Sequence, residues 1–548
     1  MATITGSEVL AQSLRSQGTD TLFYLMGGPM LETEAACIAL GIRAVDHRHE
    51  QAAAFAAHAW TRVTRRPGVC MGCSGPGATN LLTGVANAFT DASPLVAIGG
   101  SSPRVFLGME AFQEIDQVAV FRPVTKWAER IYDAKRIPDM VATAFRQATT
   151  GRPGPVYLDL PGDVLGEKIE EESLVYPPAW RPAPRTLGDP AAIREAIKLL
   201  AKAERPVVIA GSGVWWSDGA AALQAFVEAT GIPFYTTPIS RGLIPEDHAL
   251  AFLNARSKAF TEADVVLAVG TRFNWVIQFG RPPRFAADLK VIHVDINPTQ
   301  LGHNRNADVP IAGDARAVLE QLRAEAEGKI DPKRYAAWTG KLRVLDGEKS
   351  AEMDKAMSSD ATPIHPLRLC KEIRDFVRRD AILVVDGQEI LNYGRQAMPT
   401  FTPGHRLNSG AFGCMGVGLP FGVGAKVAKP DAQVVVLHGD GSFGINAMDI
   451  DTAVRHKIPV IVVISNNGGW TANAPWTRPL PKPGRNLGHT RYDKIAQDLG
   501  AHGEFVEKPH EIRPALERAW ASGKPAVVNV ITDDKARAQT VRFSAYTT

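Results

Sequence analysis

HGDGSFGINAMDIDTAVRHKIPVIVVISNNGGW, residues 438–470, decides how the chain is read. The run VVVLHG reads as a strand that stops at Gly439-Asp440-Gly441-Ser442; a helix follows, IPVIVVIS is the next strand, and Asn466-Asn467 closes it. That order puts Asp440 and Asn467 at the same edge of two parallel strands, the usual place for ligands in such sheets. The residue types suit Mg²⁺, a hard cation that takes oxygen ligands and shares its shell with phosphates. Asp440 offers a charged oxygen, Asn467 an amide oxygen, and a backbone carbonyl near Gly469 a third. Gly439 and Gly441 let the backbone approach a phosphate, and the helix after Ser442 turns N–H groups toward it. GDG alone is weak; GDGS, the intervening helix and strand, and the paired asparagines together point to a metal-bridged phosphate site.

The same alternation runs outward through the chain. TLFYLMG, GVCMGCS, LVAIGG and VYLDLP occupy the first third, RPVVIAGSG, VVLAVG and VIHVDI the middle, and AILVVDG, QVVVLHGDG, IPVIVVISNN and AVVNVIT the last. Continuous apolar strands separated by helices mean parallel sheets covered on both faces. The stretch from Leu165, LGEKIEEESLVYPPAWRPAPRTLGDP, is rich in proline and charge and should not continue a sheet. A second polar stretch, KIDPKRYAAWTGKLRVLDGEKSAEMDKAMSSDATP, leads into the last third. The expectation is an α/β chain of three domains, 1–175, 190–335 and 365–548, each a mostly parallel sheet flanked by helices.

Composition narrows the function classes. The 548 residues are 45% hydrophobic and 22% charged, with a net charge of +3 and no long basic run. Neither nucleic acid nor a membrane surface is implied as a partner, and no stretch of about 18 apolar residues predicts a transmembrane helix. The N-terminus reads as an amphipathic helix with Thr5 or Ser7 near its cap, and lacks the apolar core of a signal peptide. Five cysteines at wide spacing argue against a disulfide framework. Cys70 and Cys73 form a CxxC with no second pair, and read as buried small residues. A reducing cytoplasm fits this usage.

The GDGS…NN pattern resembles the metal site of the thiamine-diphosphate enzymes, and the resemblance covers nearly the whole chain. It implies a pyrimidine-binding domain, a central Rossmann-like domain and a diphosphate-binding domain with a C-terminal tail. It also implies a homodimer or homotetramer, because that family builds its active sites between subunits. Glu50, in AVDHRHEQAAAF, stands where the family places the glutamate that faces N1′ of the aminopyrimidine; on residue type alone it is a favourable acid in the first turn of a helix. Pro76 and Asn80, in CSGPGATN, line a glycine-rich turn at the pyrimidine site. Met415, in SGAFGCMGVGLP, is where the family puts the bulky residue under the bent cofactor; core packing is the plain alternative. Gly387 and Gln388, after AILVV, are candidates for the other side of the diphosphate.

Two branches compete. GMEAFQEIDQVAVFRPVTKW and HEQ with GPGATN look like acetolactate synthase. VGTRFNWVIQFGRPPRF and LNSGAFGCMGVGLPFGVGAKV stand against that, and the first resembles 2-hydroxyacyl-CoA lyases of the 2-hydroxyisobutyryl-CoA type. Oxalyl-CoA decarboxylases are related but carry a tyrosine and glutamate where this chain has Phe112-Gln113-Glu114. The lyase resemblance implies cleavage of a 2-hydroxyacyl-CoA to formyl-CoA and an aldehyde or ketone, reversibly, with Gln113 and Glu114 handling hydroxyl protons. The central domain resembles those that hold ADP as a structural effector, with Arg152, Ser212 and Asp295 as contacts. Coenzyme A phosphates need cations; Arg395 beside Asn392, and Lys535, Arg537 and Arg542 on a C-terminal tail that closes as a lid, are the candidates. A non-enzymatic relative is disfavoured by the presence of Glu50, Asp440 and Asn467.

Overall fold

The computed structural model describes residues 3–179, 185–470 and 483–538. The chain divides into two compact units, the first comprising residues 1–183, 409–431 and 446–459, and the second the remainder.

The first unit is built on a six-stranded parallel sheet. Its order is Arg43–Asp46, Thr21–Tyr24, Gly68–Gly72, Leu95–Ser101, Val156–Pro161 and Ala128–Arg130. Val69, Val96, Ile98, Val156 and Leu158 are buried in it, as expected of strands covered on both faces. The first helix, Gly6–Ser16, starts at Thr5, whose side chain and Glu8 form a reciprocal capping box. Cys70 is fully buried and Cys73 partly so, and both are free.

The second unit carries two further parallel sheets. One has the order Phe234–Thr236, Pro206–Ala210, Val265–Val269, Lys290–Asp295, Val309–Ala312. The other runs Arg406–Leu407, Ile382–Asp386, Val434–Gly439, Ile461–Asn466, Ala526–Ile531, His502–Val506. Each encloses its own apolar core. The α/β class with three mostly parallel sheets is therefore as the sequence implies. Among the described residues no helix is long and apolar enough to cross a membrane.

One departure matters for the site. The helix expected after Ser442 begins at Asp440 itself and is broken, Asp440–Ile445 and then Asp449–Arg455. Asp440 therefore sits at the strand-to-helix turn, and its carboxyl lies among backbone N–H groups.

The helix Glu50–Thr64 shows how composition sets packing. Its sequence, EQAAAFAAHAWTRVT, buries Ala52, Ala53, Ala54, Ala56, Ala57 and Ala59. Two other helices of the unit, Pro76–Thr90 and Gly418–Ala428, press on it through glycine. A methyl on Gly84 would collide with Ala54 Cβ, and one on Gly424 with the Ala56 carbonyl oxygen. Backbones this close admit only alanine on one side and hydrogen on the other. Gly424→Ala should cost about 1–3 kcal/mol through overpacking, read as a lower urea midpoint, while a glycine with open space around it, Gly340 in the helix Ala336–Met357, should tolerate alanine or gain from it.

Candidate functional site

The first unit presents Glu50 at the amino end of that helix, capped by His49, whose ring accepts from the Gln51 N–H at 3.1 Å. The carboxyl of Glu50 is 5% exposed. Asn80 Nδ2 donates to Glu50 Oε2 at 2.9 Å, which leaves Oε1 for another donor. Asn80 and Pro76 belong to the helix Pro76–Thr90, which starts at a turn that Gly75 makes possible, with φ 56° and ψ −107°. Below Glu50, His47 Nδ1 lies 2.9 Å from Asp449 Oδ2 with both side chains buried, and Arg455 and His456 bond Asp46. The end of the strand Arg43–Asp46 is thus tied down just before the acid.

Gln113 is a non-glycine residue in the left-handed region, φ 60°, a strain of the kind that clusters at functional sites. Its Oε1 accepts from Ser74 Oγ at 2.6 Å, so its amide N–H groups are free to point elsewhere. Glu114 is engaged differently. Its carboxylate accepts from the Gly108 N–H and, at 2.9 Å, from the Ala111 N–H, and those backbone donors hold it below the usual carboxylate range. That geometry makes Glu114 a clamp on its own loop. The loop exposes Val105, Met109 and Phe112, the last 86% accessible. Met415 is half-buried between Gly413 and Gly416, both at positive φ.

In the second unit Asp440 is 3% exposed, and its Oδ2 is buried with no hydrogen-bond partner. Burial raises its pKa to about 6, against the N–H groups of Gly441, Gly469 and Gly468. The Asn467 amide is oriented with its oxygen 2.9 Å from the Gly469 carbonyl oxygen and 3.2 Å from Asp440 Oδ1. Three oxygens converge there with no proton between them; turning the amide over would let it donate to both. An orphaned buried carboxylate oxygen beside two neutral oxygens fits a divalent cation, and the set Asp440, Asn467 and Gly469 could hold one. Among the described residues no three His, Cys, Asp or Glu side chains converge as an alternative metal site.

Glycine surrounds that set. Gly387, φ 117°, takes its N–H to Asp386 Oδ1 at 2.6 Å, and a methyl on it would stand 3.2 Å from the Gly439 nitrogen. Gly387 and Gly439 thus face each other across adjacent strand ends, with Gln388 following. Ser442 Oγ is 2.9 Å from His438 Nδ1, and the Trp470 ring covers Gly441.

A third group, also in the second unit, joins Arg395, which the sequence offered as a phosphate contact, to Arg256 and Arg284, which it did not. Burial first, and then the guanidinium groups of Arg284, Arg395 and Arg241, push Arg256 down to about 9. Burial and Arg395 push Arg284 to about 10. Arg241 is neutralised by Glu246, at 2.5 Å. Arg256, Arg284 and Arg395 have no carboxylate partner among the described residues, and Arg256 Nε is buried without any acceptor. Arg284 Nη1 bonds Ser257 Oγ at 2.9 Å and Arg395 Nη2 bonds Asn392 Oδ1 at 2.9 Å. No periodicity or motif joins positions 256, 284 and 395; only the fold does.

The remaining candidates are scattered. Arg152 donates to the Phe89 carbonyl. Ser212 opens the short helix Ser212–Trp216, and Asp295 Oδ1 accepts from the Asn297 N–H at 2.8 Å. The glycines around Ser212 have a packing reason: a methyl on Gly213 would stand 2.7 Å from Gly270 Cα, and one on Gly211 would strike the Gly270 carbonyl. In the tail, the Ala538 N–H donates to Glu389 Oε1, so the chain leaves the last strand along the helix Glu389–Ala397 that carries Asn392 and Arg395. Arg537 bonds the carbonyls of Asp534 and Ala536, Lys535 is exposed, and Arg542 lies outside the described residues, as does the rest of the proposed lid.

Three family models match the chain: the thiamine pyrophosphate enzyme N-terminal TPP binding domain over residues 4–120, the central domain over 193–322 and the C-terminal TPP binding domain over 391–530. A probable acetolactate synthase of Mycobacterium bovis is 38% identical over 97% of this chain and 96% of its own length. A 2-hydroxyacyl-CoA lyase of Arabidopsis thaliana is 35% identical over 98% and 97%. An oxalyl-CoA decarboxylase of Escherichia coli is 34% identical over 97% and 95%.

Glu34 is a buried acid that the sequence reading also passed over. It is 4% exposed, its Oε1 has no partner, and burial raises it to about 7. A raised folded pKa means that the protein is unpenalised below the ordinary carboxyl value of about 4.3 and loses stability as pH rises from there through about 7. Glu34→Gln should therefore leave stability unchanged at pH 4.5 and raise it at pH 8 by about 1–2 kcal/mol after solvent screening, read as a higher melting temperature at pH 8 alone. An equal effect at both pH values contradicts this.

Proposed function

This chain belongs to the thiamine pyrophosphate enzyme family, and we propose that within it the protein is a carbon–carbon lyase acting on 2-hydroxyacyl-CoA thioesters. The observation that carries the choice is the group Arg256, Arg284 and Arg395. Arg284 is buried, Arg256 is partly buried and Arg395 is exposed beside them; cations drawn from water without a carboxylate are costly unless an anionic ligand completes them. Pyruvate, the substrate class of the competing reading, has one carboxylate and no phosphate. Coenzyme A brings a 3′-phosphate and a diphosphate, for which guanidinium groups are suited. The relatives named for CoA thioesters, at 32–35% identity, are nearly as similar as the synthase at 38%.

The other roles are proposed with the geometry in support. Asp440, Asn467 and the Gly469 carbonyl would hold Mg²⁺, and Gly387, Gln388, Gly439, Gly441 and Ser442 the diphosphate it bridges. Glu50 Oε1, left open by Asn80, would face the aminopyrimidine, with Pro76 and Met415 against the cofactor's rings. Thiamine diphosphate, when bound, supplies the carbon nucleophile and the electron sink that let the C1–C2 bond of the substrate break. The Gln113 amide cannot take a proton, but it can hold the substrate hydroxyl or the departing carbonyl oxygen by donating to it. The products are formyl-CoA and an aldehyde or ketone. A homodimer or homotetramer is the proposed state, in which a second copy covers the exposed loop with Val105, Met109 and Phe112. For ADP at Arg152, Ser212 and Asp295 the packing of Gly211 and Gly213 leaves only the resemblance as support.

A second reading, acetolactate synthesis from 2-ketoacids, is favoured by the 38% identity. Separate incubations with 2-hydroxyacyl-CoA thioesters, the matching pantetheine thioesters and pyruvate, with products read by mass spectrometry, decide between them. The lyase reading expects formyl-CoA and a carbonyl compound. It also expects Arg284→Ala to raise KM for the CoA thioester roughly tenfold, about 1.4 kcal/mol, and to leave the pantetheine thioester unaffected. Acetolactate from pyruvate with no thioester cleavage would move the assignment to the synthase.

A further inference from the structure

We infer that Gln117 is a positioning residue that sets the Gly75 turn and, through it, both Asn80 against Glu50 and the Gln113 amide. The side chain is 1% exposed, and its orientation admits one assignment. Oε1 accepts from the Gly75 N–H at 2.6 Å, which can only donate. The two protons of Nε2 are shared among the Gly100 carbonyl at 2.9 Å, Tyr157 Oη at 2.9 Å and Asp159 Oδ1 at 2.6 Å. Asp159 is itself fully buried and paired with Arg130. The charged and titratable groups facing Gln117 are thus Asp159 and Tyr157 from one strand, with Arg130 behind Asp159 on its neighbour.

The amide joins three elements that the site needs in register. Gly75 adopts a conformation that no side chain tolerates, because a methyl there would lie 2.6 Å from the Gln113 carbonyl oxygen and 2.8 Å from Gln113 Cβ. Gln113, itself at φ 60°, rests directly on that turn and bonds Ser74. One residue beyond Gly75 the helix begins, and one turn further Asn80 reaches Glu50. A strained turn persists only where its surroundings over-determine it, and Gln117 supplies the bond to the turn's own N–H. The buried Asp159–Arg130 pair anchors the other end of the amide, so its position is inherited from the sheet.

The inference rests on Glu50 being the acid that faces the cofactor, and the test separates the two. Gln117→Met removes the amide at similar volume; Gln117→Glu keeps the acceptor and regains a donor only when protonated. In the full chain without cofactor, amide hydrogen exchange over residues 74–80 should rise in Gln117→Met while the strands Val156–Pro161 and Leu95–Ser101 stay protected. With saturating Mg²⁺ and thiamine diphosphate, exchange of the thiazolium C2 proton should slow about 10–100-fold, with cofactor affinity within about threefold of the parent. Gln117→Glu should recover much of that rate at pH 6 and lose it toward pH 8, a dependence the parent lacks. C2 exchange at the parent rate in a folded Gln117→Met protein overturns the inference. So does a uniform loss of protection, or failure of both variants to fold, since either makes Gln117 a stability residue only. Glu50→Gln is run alongside: if it too exchanges C2 at the parent rate, the assignment of Glu50 has failed, whereas slow exchange in Glu50→Gln alone isolates the failure to Gln117.

Discussion

The first unit depends on backbone contact around one helix. Residues 50–64 are gripped by Gly84 and Gly424 at distances that leave no room for a side chain larger than a methyl. Leucines along that face would push the neighbouring helices apart and carry the turn at Gly75 away from Glu50. Alanine is therefore a geometric requirement here, as well as a good helix former. The acid at the helix's first position inherits its placement from this contact, and Asn80 comes from one of the two helices that make it.

The second constraint is electrostatic. Protein interiors tolerate a polar group when it is bonded and a charge when it is paired. Most of the buried charges here obey: Asp159 with Arg130, Glu246 with Arg241, Asp449 with His47. Glu34 is an exception that no proposed ligand completes; others lie where a ligand would complete them. Asp440 Oδ2 has no donor, and Arg284 and the partly buried Arg256 lie near the exposed Arg395 with no carboxylate partner among the described residues. A cation in the first place and phosphates in the second would satisfy each local deficit. The helix carrying Arg395 is held by Arg241 and Arg406, which donate to the Gly394, Arg395 and Met398 carbonyls at its carboxyl end.

The sequence exposes what is local and periodic. Strands covered on both faces print as unbroken apolar runs, so the three parallel sheets could be read before any coordinates. GDGS and NN could be read because the turn chemistry lies within 30 residues of chain and every ligand is contiguous with a strand end. The broken helix at Asp440–Ile445 and Asp449–Arg455 was smoothed over, since Gly444 and Asn446 interrupt a pattern otherwise helical. Glu114 shows the limit of residue type: a carboxylate beside a candidate site is spent on the N–H groups of its own loop. Gln117, Glu34, Arg256 and Arg284 were illegible for a different reason. Their meaning lies in partners tens to more than a hundred residues away, and a glutamine at a helix start or an arginine between alanines carries no mark of that.

The account stands on Glu50 being the group that activates a thiamine diphosphate bound through Mg²⁺. Exchange of the thiazolium C2 proton into deuterated water, followed by NMR in Glu50→Gln at saturating Mg²⁺ and cofactor, tests this most directly. Glutamine keeps the size and the bond to Asn80 and removes only the acid. The account predicts near-parent cofactor affinity with exchange slowed by about 10²–10⁴-fold, the range of a lost general acid–base group. Exchange at the parent rate with the cofactor bound would contradict it.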